Sequence, residues 1–353
     1  MDFQPDYRHM LCVLSNHRPD RLPIYEHVIS PVIMEKILGI SFAELQNGDD
    51  EDLKEFFSQY CRFYKQTGYD TVSFSIDFTS ILPGHGAIRG GKPGPIQTRQ
   101  DFEKYPWDQL PAIFWQSAER KFEMLGKCLP EGMKAIGGIG NGVFEISEDL
   151  AGLEYLSYML VDNPPLVADL YRKIGDLMLQ MWEAFLCRFG RYYAVCRFGD
   201  DLGFKTGTLV SPSTIKEYII PQYRRIIPSI HSTGKPFLWH SCGNIFEVMD
   251  AVIETGIDAK HSNEDAIAPF DRWISLYGER IALLGGIDIN LLCQGSPSEI
   301  AARTFEDGLR FRSQAKGYAL GSGNSIPDYV PVEGYLAMLE GARKIREYEQ
   351  TTS

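Results

Sequence analysis

Eight short apolar or β-branched runs recur along this chain, most of them separated by stretches with helical punctuation. They are Leu22–Tyr25, Thr71–Ile76, Ala135–Ile139, Tyr193–Phe198, Pro236–His240, Asp258–His261, Ile281–Gly285 and Tyr318–Gly321. Two parallel strands cannot be joined by a tight turn; the return needs a crossover, normally a helix. Strands alternating with helices therefore imply a parallel sheet. Eight such units predict an α/β fold, a (β/α)8 TIM barrel. The 353 residues suit one large domain of that kind. Residues 1–20 form an N-terminal extension that covers the amino-terminal face or frays, 21–345 the barrel and 346–353 a C-terminal tail.

The segments between the runs carry stop and start signals. Ser211-Pro212 places a cap before a first-turn proline, Gly234 ends that helix, and Pro221 inside it is expected to kink it. Ser296-Pro297-Ser298-Glu299 reads as a capping box for a helix ending at Gly317. A long loop follows the second run. Its Gly- and Pro-rich stretch, Gly84 to Pro95, is of a kind that serves as a lid, a partner surface or a disordered connector.

Composition narrows the partners. Hydrophobic residues make up 44% and charged residues 23%, which is globular. A net charge of -12 argues against nucleic acid or an anionic membrane surface, since both select basic patches. The chain has no secretory leader pattern and no apolar run near the roughly 18 residues of a membrane span. Seven scattered cysteines read as reduced thiols in a cytoplasmic protein.

Barrel chemistry sits at the carboxyl ends of the strands. Those positions hold Glu26 and His27, Asp77, Asn141 and Glu145, Asp200 and Asp201, His240 and Cys242, Asn263, Glu264 and Asp265, Asp288, and finally Ser322 and Asn324. Clustered acids either bind a cation or raise one another's pKa; each acid alone could as well cap the next helix. Residues 240 and 242 share one face of an extended chain. An imidazole and a thiol are thus presented together, which is half of a tetrahedral zinc site; the bland alternative is a packed histidine beside an inert cysteine. Gly285-Gly286 and Gly321-Ser322-Gly323, with Asn324 after them, end the last two runs, where barrels bind phosphate through loop amides or where glycine merely permits a turn.

Together, Asp200-Asp201-Leu202-Gly203, the Lys235 to Asn244 strand and turn, Gly285-Gly286-Ile287-Asp288 and Gly321-Ser322-Gly323-Asn324 resemble the uroporphyrinogen decarboxylase superfamily, over about residues 18–345. That resemblance implies a (β/α)8 barrel and one of two chemistries: decarboxylation of uroporphyrinogen in haem synthesis, or methyl transfer with corrinoid proteins. The His240-x-Cys242 pair is similar to the zinc motif of the methyltransferase branch, where the metal holds an acceptor thiol as thiolate. In that branch a further cysteine stands where this chain has Ser322, so an acid (Glu145, Asp201, Glu264 or Asp288) must complete a zinc shell, with Glu264 or Asp201 favoured.

The expectation is a corrinoid-dependent methyltransferase. It has zinc on His240, Cys242 and Glu264, and Asp77, Glu145, Asp201 and Asp288 act on substrate or protons. A cofactor rim is formed by Gly285, Gly286, Ser322 and Asn324. Its partners are a small methyl donor or acceptor and a separate corrinoid protein, docked near residues 84–98; a homodimer through helix faces is compatible with such a barrel. Two alternatives remain open. One is a decarboxylase using Asp77, although Glu26 stands where that branch presents arginines. The other is a non-catalytic barrel that binds a corrinoid protein.

Overall fold

The structure is a computed structural model and describes residues 3–90 and 92–352. Met1, Asp2, Gly91 and Ser353 fall in the expected extension, loop and tail and lie outside the described residues. Among the described residues the main sheet has seven strands: β1 Thr71–Ile76, β2 Lys134–Ile139, β3 Tyr193–Gly199, β4 Phe237–His240, β5 Ala259–His261, β6 Ala282–Ile287 and β7 Tyr318–Ser322. They follow one another in chain order and every pairing is parallel. Helices 110–128, 164–189, 220–231, 246–253, 270–277 and 297–314 lie between them, with 50–66 before β1 and 332–352 after β7. Both faces of the sheet are covered, which is why the strands read as near-continuous apolar runs rather than alternating ones.

The expected closed, eight-stranded barrel is corrected by the first run. Leu22–Tyr25 does not form a strand; Ile24 makes a single bridge to Leu320 of β7. The Tyr25 N–H donates to the Leu320 carbonyl at 2.8 Å, and the Leu320 N–H to the Pro23 carbonyl at 3.0 Å. Pro23 has no N–H to give a second neighbour, and the Leu22 carbonyl is taken by Arg346 Nε at 2.8 Å. Towards β1 the link is a side chain, the Ser73 hydroxyl donating to the Glu26 carbonyl. The sheet is therefore a curled, seven-stranded parallel sheet with a bridged eighth run.

The helix Arg8–Leu14 inserts Met10, Val13 and Leu14 among Tyr25, Ile136, Val195, Leu238 and Leu284. This plugs the amino-terminal end of the curled sheet and leaves the carboxyl end open. The last helix, Val332–Thr352, runs through position 345 without a break. Pro221 produces no simple kink. A π-helical turn, Ile215–Ile219, precedes it inside one continuous helical stretch from Pro212 to His231, and such a turn absorbs the hydrogen bond that a proline cannot make. The helix opened by Ser296 ends at Gln314 rather than Gly317. The Gly-rich loop is tied down: Gly86 and Ile88 N–H donate to Asp149, and Gly94 and Ile96 N–H to the Ala151 and Leu150 carbonyls. No helix among the described residues is long and apolar enough to cross a membrane.

Candidate metal centre

Strand β4 ends in a fully packed Phe-Leu-Trp-His segment. Its parallel register with β5 sets His240 directly beside His261. The chain then bends, and Cys242 folds back so that its Sγ lies 3.4 Å from His240 Nε2. Asp201 reaches in from the end of β3: its Oδ1 accepts the Cys242 N–H at 2.8 Å and lies 3.7 Å from His240 Nε2. One donor atom each from Asp201, His240 and Cys242 lies within 4.8 Å of the others. A second group, His27, His240 and His261, meets the same spacing. His27 stacks on His240 with ring centroids 3.6 Å apart, and His240 Nδ1 lies 2.8 Å from His261 Nδ1.

The adjacent aspartates divide the work. Asp200 is fully buried and accepts the Phe144 and Glu145 N–H groups, at 3.1 and 2.8 Å, together with the Tyr223 hydroxyl. It therefore holds the start of the helix Val143–Ala151, as a capping carboxylate does. Asp201, one residue on, faces the opposite way, into the mouth. Glu145 sits next to it: its carboxyl accepts the Asn141 amide at 2.7 Å and the Asp201 N–H at 3.3 Å.

Other expected site residues lie elsewhere. Glu264 is in neither ligand group; its carbonyl accepts from Ile267 and Ala268 in a turn. Asp288 is engaged with backbone, accepting the Asn290 N–H at 2.7 Å as a helix cap and the Asp265 N–H at 2.8 Å. Ser322 turns its hydroxyl to Glu26, and its N–H donates to the same carboxyl at 2.7 Å. Gly286 donates its N–H to Asn263 Oδ1 at 2.9 Å, while Gly285 leaves the space beside His261. Asn324 does belong to the centre: its amide and the Ser262 hydroxyl each lie 3.5 Å from Cys242 Sγ as donors. Asp77 stands exposed at the rim, just past the end of β1.

Burial governs the electrostatics. It holds the His27 and His240 imidazoles well below their usual pKa and takes His261 down to about 3. All three rings are therefore neutral at pH 7, the form that binds a metal. The Cys242 thiol is pushed up, first by burial and then by the Asp201 charge. Burial also raises Glu145, takes Asp200 to about 7, and takes Glu26 and Glu148 to about 8. Lys260, buried behind Cys242 with its ammonium 4.2 Å from the Trp273 ring centroid, is lowered to about 7.

Sequence reasoning placed His27 at a strand end but gave it no role, and it passed over His261, Lys260 and Arg197. His261 ends its run just as His240 does, and a histidine at that position was the available signal. Arg197 donates to the Tyr25 hydroxyl at 3.0 Å, the His27 carbonyl at 2.6 Å and Ser75 at 2.7 Å. It is a strand residue with no motif around it.

Fold and site define an α/β protein whose polar side chains gather at the carboxyl ends of a curled parallel sheet. Known proteins place it further: the chain belongs to the uroporphyrinogen decarboxylase (URO-D) family, whose sequence pattern matches residues 8–345. A methylated-thiol–coenzyme M methyltransferase of Methanosarcina mazei is 23% identical over 182 residues. That match spans 50% of this chain and 45% of the relative, so less than half of the relative's length is matched. Among solved structures, a methyltransferase from Methanosarcina mazei superimposes with a TM-score of 0.70 at 14% identity, covering 95% of this chain and 97% of the other. At that identity the likeness is one of fold.

Proposed function

We propose that this protein is a methyltransferase that moves a methyl group between a small methylated compound, or a thiol or pterin acceptor, and a corrinoid carried by a separate protein. Zinc would be held by Asp201, His240 and Cys242. The single observation behind this reading is the convergence of those three donors at the end of β4. The donor set fits the metal: one imidazole, one thiolate and one carboxylate are ordinary zinc ligands, and the two anions balance its charge. Of the two acids the sequence favoured, Glu264 and Asp201, it is Asp201 that would complete the set, since its carboxylate lies with His240 and Cys242. Bound by these residues, zinc would supply the Lewis acidity that lowers the pKa of an incoming thiol.

The chain's own residues do the rest. His240 offers a neutral imidazole, and Asn324 and Ser262 donate to the Cys242 sulfur, contacts that would stabilise it as a thiolate ligand. Glu145, whose carboxyl accepts the Asp201 N–H at 3.3 Å, would orient substrate or handle protons beside the centre. Asp77 at the rim orients polar substrate groups. The open carboxyl end is the face on which the corrinoid protein would dock, bordered by residues 84–98.

Metal analysis of protein purified without chelator tests this reading. Stoichiometric zinc, lost in Cys242→Ala and in Asp201→Asn, with methyl transfer from methylcobalamin to a small thiol lost in parallel, is the expected result. Folded protein that carries no zinc, or that keeps it in Cys242→Ala, overturns the zinc centre. The family's decarboxylation chemistry has less support. The mouth is lined by acids, and the buried Arg197 is spent on Tyr25, His27 and Ser75. Coproporphyrinogen formed from uroporphyrinogen would displace the methyl-transfer reading.

A further inference from the structure

His240 can hold a metal through Nε2 only if that nitrogen is bare, and the ring's other nitrogen decides this. A neutral imidazole carries one hydrogen, on either Nδ1 or Nε2. His240 Nδ1 and His261 Nδ1 lie 2.8 Å apart, so one hydrogen lies between them and one ring is the donor. His261 Nε2 lies 3.0 Å from the Ser322 carbonyl, which only accepts. His261 therefore carries its hydrogen on Nε2 and presents a lone pair at Nδ1. The hydrogen between the rings must then belong to His240 Nδ1. That leaves His240 Nε2 as a lone pair, 3.4 Å from Cys242 Sγ and 3.7 Å from Asp201.

We infer that His261 is a positioning residue: it reads the Ser322 carbonyl at one nitrogen and, through the other, locks His240 in the tautomer whose Nε2 faces Cys242 and Asp201. This deepens the proposed zinc centre and rests on it for the metal, although the tautomer itself does not. Ser322 thus acts on the centre through its carbonyl, while its hydroxyl serves Glu26. Metal-bound histidines commonly pass their second N–H to a carboxylate, a carbonyl or water. Here the acceptor is a neutral imidazole, which orients the ligand without adding a negative charge next to the two that Cys242 and Asp201 contribute.

The surrounding packing keeps the chain of bonds in line. The parallel register of β4 and β5 pairs His240 with His261. His27 lies flat on the His240 ring, 18° from parallel, and blocks its rotation. Tyr25 meets His261 edge-on, with centroids 5.2 Å apart. Gly285 leaves the room: a Cβ there would come within 3.0 Å of the Ser322 carbonyl oxygen and 3.3 Å of His261 Cδ2.

Two substitutions separate hydrogen bonding from packing. In His261→Asn the amide oxygen can take the place of Nδ1 and accept from His240; in His261→Leu no acceptor remains. Long-range nitrogen-15 NMR of histidine-labelled, metal-free full-length protein should show His240 as the Nδ1–H form in the wild type and in His261→Asn. In His261→Leu it should show a mixture of tautomers. Chelator competition should show zinc held about 10- to 100-fold more weakly in His261→Leu, the range for losing such an outer partner, and within a few-fold of wild type in His261→Asn. An Nε2–H form of His240 in the wild type overturns the inference. So does an unchanged His240 tautomer in His261→Leu, or equal zinc loss in both variants with the fold intact. If the wild type binds no zinc, the metal reading fails while the NMR result still decides the role of His261.

Discussion

Glu26→Gln should stabilise this protein progressively as the pH rises. Glu26 is completely buried, and its carboxyl meets the N–H and hydroxyl of Ser322. Burial outweighs both bonds and takes its pKa from 4.5 to about 8. The folded protein therefore keeps this proton between those two values, where the unfolded chain has already released it. In that window the native state binds more protons, so stability falls as pH rises. At about 1.4 kcal/mol per pH unit, the span from 4.5 to about 8 amounts to about 5 kcal/mol; above pH 8 the loss levels off. Glutamine matches the neutral acid in shape: its oxygen can accept from the Ser322 N–H and its amide can donate to the Ser322 hydroxyl. Urea unfolding of both proteins at pH 4.5, 6, 7, 8 and 9 measures the effect, and the difference between variant and wild type cancels the titration of every other group. The gain of the variant should be near zero at pH 4.5, grow to about 3 kcal/mol at pH 7 and flatten above pH 8. A difference that stays constant with pH, or one that falls, would show that Glu26 is ionised in the fold and refute the reasoning.

Two further perturbations probe the centre. In metal-stripped protein, Asp201→Asn should speed iodoacetamide labelling of Cys242 several-fold at pH 8, because the Asp201 charge helps to hold the thiol up; mass spectrometry with the exposed Cys187 as internal reference reads it, and slower labelling would contradict the assignment. Gly243→Ala should cost about 2–4 kcal/mol and lower the urea midpoint. Gly243 has φ +87°, and a Cβ there would lie 2.1 Å from the Gly203 carbonyl carbon, which is backbone and cannot swing aside.

The strands of the α/β architecture were legible because each apolar run is local and buried on both faces. Thr71–Ile76 and Tyr318–Ser322 fall within a residue of the runs read from the chain. The first run was misjudged as a full strand, since nothing local says that Pro23 and Arg346 will divert its backbone bonds. At the mouth, His240 and Cys242 were legible because two residues on one extended chain share a face. Asp201 was among the acids named, but that it, and not Glu264, comes within 4.8 Å of the His240 and Cys242 donor atoms was not readable. Asp288 and Asp200 carry the same carboxylate and are taken by helix starts instead.

The sequence by itself determined which residues could meet: the alternation of runs and helices brings eight loop ends to one face, and that face is where the histidines, the thiol and the acids stand. Only the tertiary structure decided which of them do meet. The pairing of His240 with His261, the stacking of His27 and the turn of Ser322 towards Glu26 all depend on register and packing between segments tens to hundreds of residues apart. Local sequence carries no record of distances across a sheet, and a few ångströms across a buried mouth separate a metal ligand from a helix cap.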